Sequence, residues 1–163
     1  MNKVLYVDRV YIPQNFRDRR YVEHDKELAF EVARNISEGN PKLGVDVRFN
    51  AFDDIPEILT AEQYIALVTN FPQRRTPSSD IKSRLEKYRI AYQESLDMLK
   101  RITTSFVGLP VIVYTGIGSG EEADPSTLPA TTLLNEAGIQ KIVFKKNPAL
   151  DGIVIREMIL GKR

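Results

Sequence analysis

Apolar residues follow two patterns that alternate along the chain. Short runs of consecutive apolar residues predict strands buried on both faces. These runs are residues 3–10, 63–71, 109–115 and 141–145. Longer stretches, with apolar residues three and four positions apart, predict amphipathic helices. These stretches are residues 25–38, 79–104 and 130–137. The chain therefore alternates strands with helices.

Further local signals complete this pattern. Residues 45–52 alternate apolar and polar side chains, which predicts a strand with one exposed face at the edge of a sheet. Residues 55–59 predict only a short helix, and Asn147 with Pro148 forms a cap and first position for a last helix, which Gly161 ends. Five strand–helix units with an exposed second strand predict a flavodoxin-like, three-layer α/β/α sandwich. Its sheet is parallel and five-stranded, with strand order 2-1-3-4-5.

Composition narrows the function classes. The chain has 163 residues with a formal charge of +1, and we expect one domain over residues 1–163. It has no cysteine, which excludes thiolate metal sites and cysteine nucleophiles, and its single histidine excludes multi-histidine metal sites. No apolar run approaches the length of a membrane span, so we expect a cytoplasmic protein that does not engage a membrane. A charge near zero does not favour binding to nucleic acid.

Four segments resemble the receiver domain of bacterial two-component response regulators. PVIVYTG and the later LLNEAGIQKIVFKK are similar to the family's PVIxLTA and EAGAxxYLxKP. VLYVDRV looks like ILVVDDD, and YIALVTNFP looks like DLVLLDLxMP. The resemblance covers most of the chain at the level of strand pattern. It implies signalling or regulation in a bacterial cytoplasm.

The resemblance assigns roles at the strand ends, and two residues depart from it. Lys145 falls on the family's invariant lysine, Thr115 on its switch threonine or serine, and Asp8 on the first of its acidic pair. Asn70 stands where the family has a carboxylate that accepts the phosphoryl group, and Arg9 replaces the second acidic residue, which helps to hold magnesium. An amide forms no acyl phosphate, and an arginine repels a metal ion. We therefore expect no phosphoryl transfer, no catalytic residue, no metal and no cofactor.

Two interpretations of this polar group stay open. In the first, Asp8, Arg9, Asn70, Thr115 and Lys145 are a remnant of the receiver site, in which Lys145 pairs with Asp8 in place of a phosphoryl group. In the second, they are the ordinary polar residues found where buried strands end.

Basic residues crowd the loops at the same edge of the predicted sheet. The candidates for anion binding are Arg17, Arg19, Arg20, Arg74 and Arg75. One interpretation is a site for a phosphate, a nucleotide or an acidic protein surface. The other is a solvated rim whose arginines pair with Asp18, Glu23 or Asp25.

Our leading hypothesis is a stand-alone, atypical receiver-like domain that acts by binding a protein partner, with a second copy of the chain as one candidate. The family's usual contact face corresponds to residues 131–137, 141–144 and 153–159. The alternative is a small-molecule or nucleotide-binding enzyme that uses the cationic edge, although no convincing nucleophile is present there. Fold alone does not choose between them.

Overall fold

The computed structural model describes residues 1–10, 19–116 and 129–161. Strands and helices alternate along the chain. The strands are β1 Asn2–Asp8, β2 Leu43–Phe49, β3 Ala66–Thr69, β4 Val111–Thr115 and β5 Lys141–Phe144. The helices are α1 Arg19–Ser37, α2 Ile55–Ala61, α3 Arg84–Ser105, α4 Pro129–Glu136 and α5 Pro148–Ile159. A 3-10 turn, Phe52–Asp54, precedes α2.

The predicted fold class is confirmed. All strand pairs are parallel, and the strands lie in the order β2-β1-β3-β4-β5. Strand β2 lies on one side of β1, whereas β3, β4 and β5 follow on the other side. The carboxyl ends of β1 and β3 are therefore the switch point of the sheet. Ligands bind outside such switch points in open α/β sheets.

Alternating side chains of the central strands build two cores, one on each face of the sheet. Leu5 and Val7 of β1 join the cluster that holds α2, α3 and α4, whereas Val4 and Tyr6 join the cluster with α1 and α5. Most residues of β1, β3 and β4 are buried, because helices cover both faces of the sheet at these strands. Tyr6 and every second residue of β1 thus face the layer of α1 and α5.

Two predicted helix starts were wrong. Helix α1 begins at Arg19, so Arg19 and Arg20 belong to a helix and not to the loop before it. The polar, arginine-rich composition of this stretch suggested a loop, but arginine is a good helix former and no glycine or proline interrupts the segment. Helix α3 begins at Arg84, later than predicted, because the Ser83 hydroxyl accepts a hydrogen bond from the Glu86 N–H and caps the helix.

Strand β2 lies at the edge of the sheet, as predicted, but it ends at Phe49. The next residue, Asn50, has φ of 55°, a left-handed conformation that asparagine tolerates better than most residues. This turn leads the chain into the 3-10 turn before α2. The Asn50 side chain also accepts a hydrogen bond from the Val10 N–H, which ties the exits of β1 and β2 together.

Helix α5 is fixed at its start by two side chains. Asn147 accepts hydrogen bonds from the N–H groups of Ala149 and Leu150, while Asp151 accepts from the N–H groups of Lys146 and Asn147. These bonds satisfy amides that have no partner within the helix. In the described part of the chain, no helix is both long and apolar enough to cross a membrane.

Candidate functional site

The strand ends that the sequence singled out share one cavity. Asp8, Asn70, Thr115 and Lys145 follow or end different parallel strands, and all four line a cavity of about 740 Å³ at the carboxyl edge of the sheet. Apolar side chains of α1 and α3, among them Leu28 and Tyr92, contribute to its walls. The cavity lies at the switch point between β1 and β3, where this fold places ligands.

Asp8 is buried and fully hydrogen-bonded. Its Oδ2 accepts from the Tyr6 hydroxyl at 2.6 Å, and its Oδ1 accepts from the Arg9 N–H at 2.7 Å. The Lys145 ammonium lies 3.0 Å from Oδ1 and 3.2 Å from Oδ2. Two carboxylate oxygens offer about four acceptor positions. All of them have donors.

Lys145 reaches Asp8 across the sheet. It follows β5, whereas Asp8 ends β1, and both β3 and β4 lie between these strands. The ammonium passes over the ring of Tyr114, 5.1 Å from the ring centre, which adds a cation–π contact. The Lys145 side chain therefore lies over the polar floor of the cavity.

A second tyrosine–aspartate pair lies beside the first. The Tyr114 hydroxyl donates to Asp151 Oδ2 at 2.8 Å, and the rings of Tyr6 and Tyr114 are 6.4 Å apart. Burial and the neighbouring Asp8 carboxylate raise the pKa of Tyr6 well above its ordinary value. Burial and the hydrogen bond to Asp151 do the same to the pKa of Tyr114. Both hydroxyls therefore stay protonated and donate.

Three members of this network were missed by sequence reasoning: Tyr6, Tyr114 and Asp151. The tyrosines read as apolar strand residues, although a buried tyrosine hydroxyl usually needs an acceptor. Asp151 lies four residues after the helix-capping Asn147, a position that could have suggested a second cap. Nothing in the sequence indicates that Asp151 lies within hydrogen-bond distance of Tyr114.

Asn70 supplies the one buried acceptor of the site without a partner. Its Oδ1 is inaccessible and accepts no hydrogen bond from any residue that the structure describes. The Asn70 backbone N–H donates to the Val7 carbonyl at 3.0 Å, which places the end of β3 directly beside the end of β1. Asn70 and Asp8 are therefore neighbours on the cavity floor.

The candidate anion-binding arginines each have local contacts where they are described. Arg74 donates to Asp53 at 2.6 Å and stacks over Phe52, and Arg75 donates to Glu94 at 3.0 Å. Arg20 lies over the ring of Tyr21. The carboxylates that pair with Arg74 and Arg75 come from the turn before α2 and from α3, and not from the Asp18, Glu23 or Asp25 expected for these two residues. Arg17 lies outside the described residues, and Arg19 lies at the start of α1.

Comparisons with known proteins give fold relatives only. No protein-family model matches the sequence, and no curated protein matches it. Among solved structures, the isolated receiver domain of RcsB from Salmonella enterica serovar Typhimurium is 17% identical, with a TM-score of 0.57 over 100% of this chain and 91% of that one. The signal receiver domain of an HD domain-containing protein from Pseudomonas fluorescens Pf-5 is 11% identical, with a TM-score of 0.52 over 98% and 94% of the two chains. The chain has the fold of a receiver domain.

That fold is not confined to receivers. Part of the lysine decarboxylase LdcF of Francisella novicida is 10% identical, with a TM-score of 0.51 over 99% of this chain and 17% of that one. The receiver fold therefore defines the architecture, and the activity has to be argued from the site.

A magnesium ion, which receiver domains hold at this edge, does not fit the residues present. A hard divalent cation needs oxygen ligands with free lone pairs. The Asp8 oxygens are already occupied by donors, one of them the ammonium of Lys145, and Arg9 stands in the second acidic position. Within the described residues, no group of three or more His, Cys, Asp or Glu side chains could hold a metal.

Proposed function

We propose that this chain is an atypical receiver-like regulatory domain that acts by binding a protein partner and does not transfer a phosphoryl group. The resemblance to receiver domains supports a signalling role in a bacterial cytoplasm. The observation that carries the proposal is the floor of the cavity. An amide, Asn70, stands where phosphoryl transfer needs a carboxylate, beside an Asp8 that Lys145 already neutralises.

The chemistry of the floor supports this proposal in two ways. An uncharged amide is a poor nucleophile and cannot form the acyl phosphate that a carboxylate forms. The lysine that would stabilise a transferred phosphoryl group is bonded to both oxygens of Asp8. Phosphoryl transfer would therefore require both a different side chain at position 70 and the release of Lys145.

Treatment with acetyl phosphate and magnesium tests the absence of phosphoryl transfer. We expect an unchanged intact mass, while a phosphorylatable receiver domain treated in parallel gains one phosphoryl group. The Asn70→Asp variant should also stay unmodified, because Lys145 and Arg9 still oppose the metal. A hydroxylamine-sensitive gain of one phosphoryl group by the wild-type chain would contradict the proposal.

The protein-binding part of the proposal concerns the face of residues 131–137, 141–144 and 153–159. Strand β5 forms the edge of the sheet here, and Ile153 is a half-exposed apolar residue on α5. Light scattering across a range of protein concentrations measures self-association. If a second copy binds this face, Ile153→Arg should lower the dimer fraction. A matched Val107→Arg change, on an 87% exposed valine after α3, should not. Equal effects of the two changes would contradict the assignment of this face.

A second candidate function is a small-molecule or nucleotide-binding enzyme. The cavity of about 740 Å³ at the switch point, which Asn70 helps to line, favours ligand binding. This candidate requires a selective ligand and a reactive group, whereas the first requires only a partner surface.

A further inference from the structure

Strand β2 forms the edge of the sheet opposite β5, and its hydrogen bonds show which backbone groups face outward. At one end of the strand, the Asn2 N–H donates to the Lys42 carbonyl at 2.8 Å. At the other end, the Asn50 N–H donates to the Asp8 carbonyl at 2.8 Å. The backbone groups of successive residues point to opposite sides of a strand, so the even-numbered residues of β2 bond to β1. The odd-numbered residues therefore turn their N–H and C=O groups away from the sheet.

The outward backbone groups along this edge belong to Val45, Val47 and Phe49. None of the residues that the structure describes forms a hydrogen bond with them. Such a row of N–H and C=O groups is a template on which another extended strand can pair. The side chains of these residues face the layer of α1 and α5, where Phe30 packs edge-on against Phe49 with 5.6 Å between the ring centres. Phe30 is 47% exposed, so an apolar strip borders the open edge.

The side chains on the other face of β2 carry opposite charges. Asp46 and Arg48 follow each other on this face, and the Arg48 guanidinium lies 3.1 Å from Asp46 Oδ2. Both stay partly in contact with water, with 25% and 41% of their side chains exposed. Charges on an edge strand usually prevent pairing with another chain. In β2 they favour one alignment, because their order makes the strand complementary to itself.

This alignment is an antiparallel pairing of β2 with β2 of a second copy. With Val47 on the two-fold axis, Asp46 of each copy lies opposite Arg48 of the other, and opposite charges facing each other stabilise a strand pair. Val45 then lies opposite Phe49, and the outward groups can form up to about six main-chain hydrogen bonds. Sliding one strand by two residues keeps the outward groups facing each other but brings two Asp46 or two Arg48 side chains together, which is destabilising.

We propose that β2 is a self-association edge, at which two copies of this chain pair antiparallel about Val47 and form one continuous sheet. The occupant is a second copy because the strand complements itself in charge, in apolar side chains and in the direction of its backbone groups. The inference goes beyond the proposed function. It leaves the face of residues 131–137, 141–144 and 153–159, at the opposite edge, free for another partner.

Cysteine cross-linking tests the position of the two-fold axis, because the chain has no cysteine of its own. In the proposed pair the two Cα atoms of position 47 lie about 5.5 Å apart, a distance that a disulfide spans. Val47→Cys should therefore form a covalent dimer on mild oxidation, measured by non-reducing electrophoresis. Val45→Cys is the matched control, because the two copies of position 45 lie about 13 Å apart along the strands, too far for a disulfide. It should stay monomeric on the gel.

Reversed charges, measured by sedimentation velocity, test the pairing itself. Wild type should form a dimer whose fraction rises with concentration. Asp46→Arg and Arg48→Asp should each weaken the dimer at least several-fold, because each places like charges opposite each other. An equimolar mixture of the two variants should recover the dimer, since one copy then presents two positive side chains to two negative ones. A purely structural role of either side chain would not be restored by mixing.

Several results would overturn the inference. A wild type that stays monomeric up to millimolar concentration would do so, and would leave this edge to a strand of a different protein. Equal cross-linking of Val45→Cys and Val47→Cys would do so as well, as would a mixture that does not dimerise although both charge variants are folded by circular dichroism. If either charge variant does not fold, the cysteine pair decides, since it leaves Asp46 and Arg48 unchanged. A dimer dispersed by Ile153→Arg but by neither charge variant would place the second copy at the β5 edge instead.

Discussion

Each of the two buried carboxylates at the carboxyl edge of the sheet is bonded to a tyrosine hydroxyl. Tyr6 donates to Asp8 from the same strand, and Tyr114 donates to Asp151 across 37 positions of sequence. Burial of an ionised carboxylate is costly unless donors surround it. These hydroxyls act as donors only while protonated, which makes the cluster sensitive to high pH.

We expect the free energy of unfolding to fall above pH 10. The pKa values of Tyr6 and Tyr114 are raised above their ordinary value of 10.0, so the folded protein keeps protons that the unfolded chain releases. Their contribution is fully present below pH 10 and is lost as the pH rises, by up to about 1.4 kcal/mol per pH unit for each tyrosine. Denaturant unfolding between pH 8 and 11.5 measures the slope.

The variant Tyr6→Phe provides the control for this pH dependence. It is less stable at neutral pH, because Asp8 loses a donor, but it lacks one of the tyrosines whose pKa is raised in the folded protein. Its stability should therefore decline less steeply above pH 10. A slope equal to that of wild type would show that the pKa of Tyr6 is not raised in the folded state.

The Asp8–Lys145 pair should show a measurable coupling energy. In a double-mutant cycle of Asp8→Asn and Lys145→Met, we expect about 1–2 kcal/mol. Asp8 has only 8% of its side chain exposed, while 39% of the Lys145 side chain remains in contact with water. The Arg75–Glu94 pair, with 69% and 54% exposed, should couple by less than about 0.5 kcal/mol. Equal coupling in the two cycles would contradict the special position of Lys145.

Among the helices, α5 connects the site to the rest of the fold. Asn147 caps its start, Asp151 lies in its first turn, and its Gly152 packs against α1 without space for a side chain. A Cβ at Gly152 would lie 2.6 Å from the Asn35 Cβ and 2.8 Å from the Val32 carbonyl oxygen. Both contacts are shorter than real side chains allow, so one of the helices would have to move.

Gly152→Ala should lower the free energy of unfolding although alanine is the better helix former. The overlap with α1 costs about 1–3 kcal/mol, which exceeds the gain of up to about 1 kcal/mol in helix propensity. Gly116→Ala is the matched control, because a Cβ there would meet nothing within 4 Å. Urea denaturation of both variants gives the comparison, and a stabilised Gly152→Ala would show that α1 and α5 separate easily.

At the scale of the whole molecule, charge is balanced both globally and within the cavity. The formal net charge of the chain is +1. In the cavity lining, Arg9, Lys145 and Lys146 face the carboxylates of Asp8, Asp25 and Asp151. A cavity with as many positive as negative described side chains does not concentrate anions, in contrast to one lined by a single sign of charge.

We therefore expect at most weak, non-selective stabilisation by phosphate, sulfate and nucleotides at constant ionic strength. Thermal unfolding with each anion measures this. The pair of changes Arg74→Ala and Arg75→Ala should not alter the response, because Asp53 and Glu94 already neutralise these arginines. A rise in Tm of several degrees specific to one nucleotide, abolished by these changes, would favour the enzyme over the regulatory domain.

Local pattern was enough to define the architecture. Apolar runs placed β1, β3 and β4 in the middle of the sheet, and the alternating residues of β2 placed that strand at its edge, because burial on two faces or one imposes different periodicities. The same pattern put Asp8, Asn70, Thr115 and Lys145 at strand ends, and parallel strands necessarily bring such ends to one edge. The first residues of α1 and α3 were harder to predict from the sequence, since they depend on single capping residues and on weak helix propensities.

Only the tertiary structure decided which of these side chains bind each other. Lys145 and Asp8 are 137 positions apart, and their pairing was one of two interpretations that the sequence allowed. The sequence did not predict the tyrosine donors, the bond from Tyr114 to Asp151, or the carboxylates beside Arg74 and Arg75. Hydrogen bonds require contact within about 3 Å, and packing of the elements, which no local pattern encodes, determines such distances.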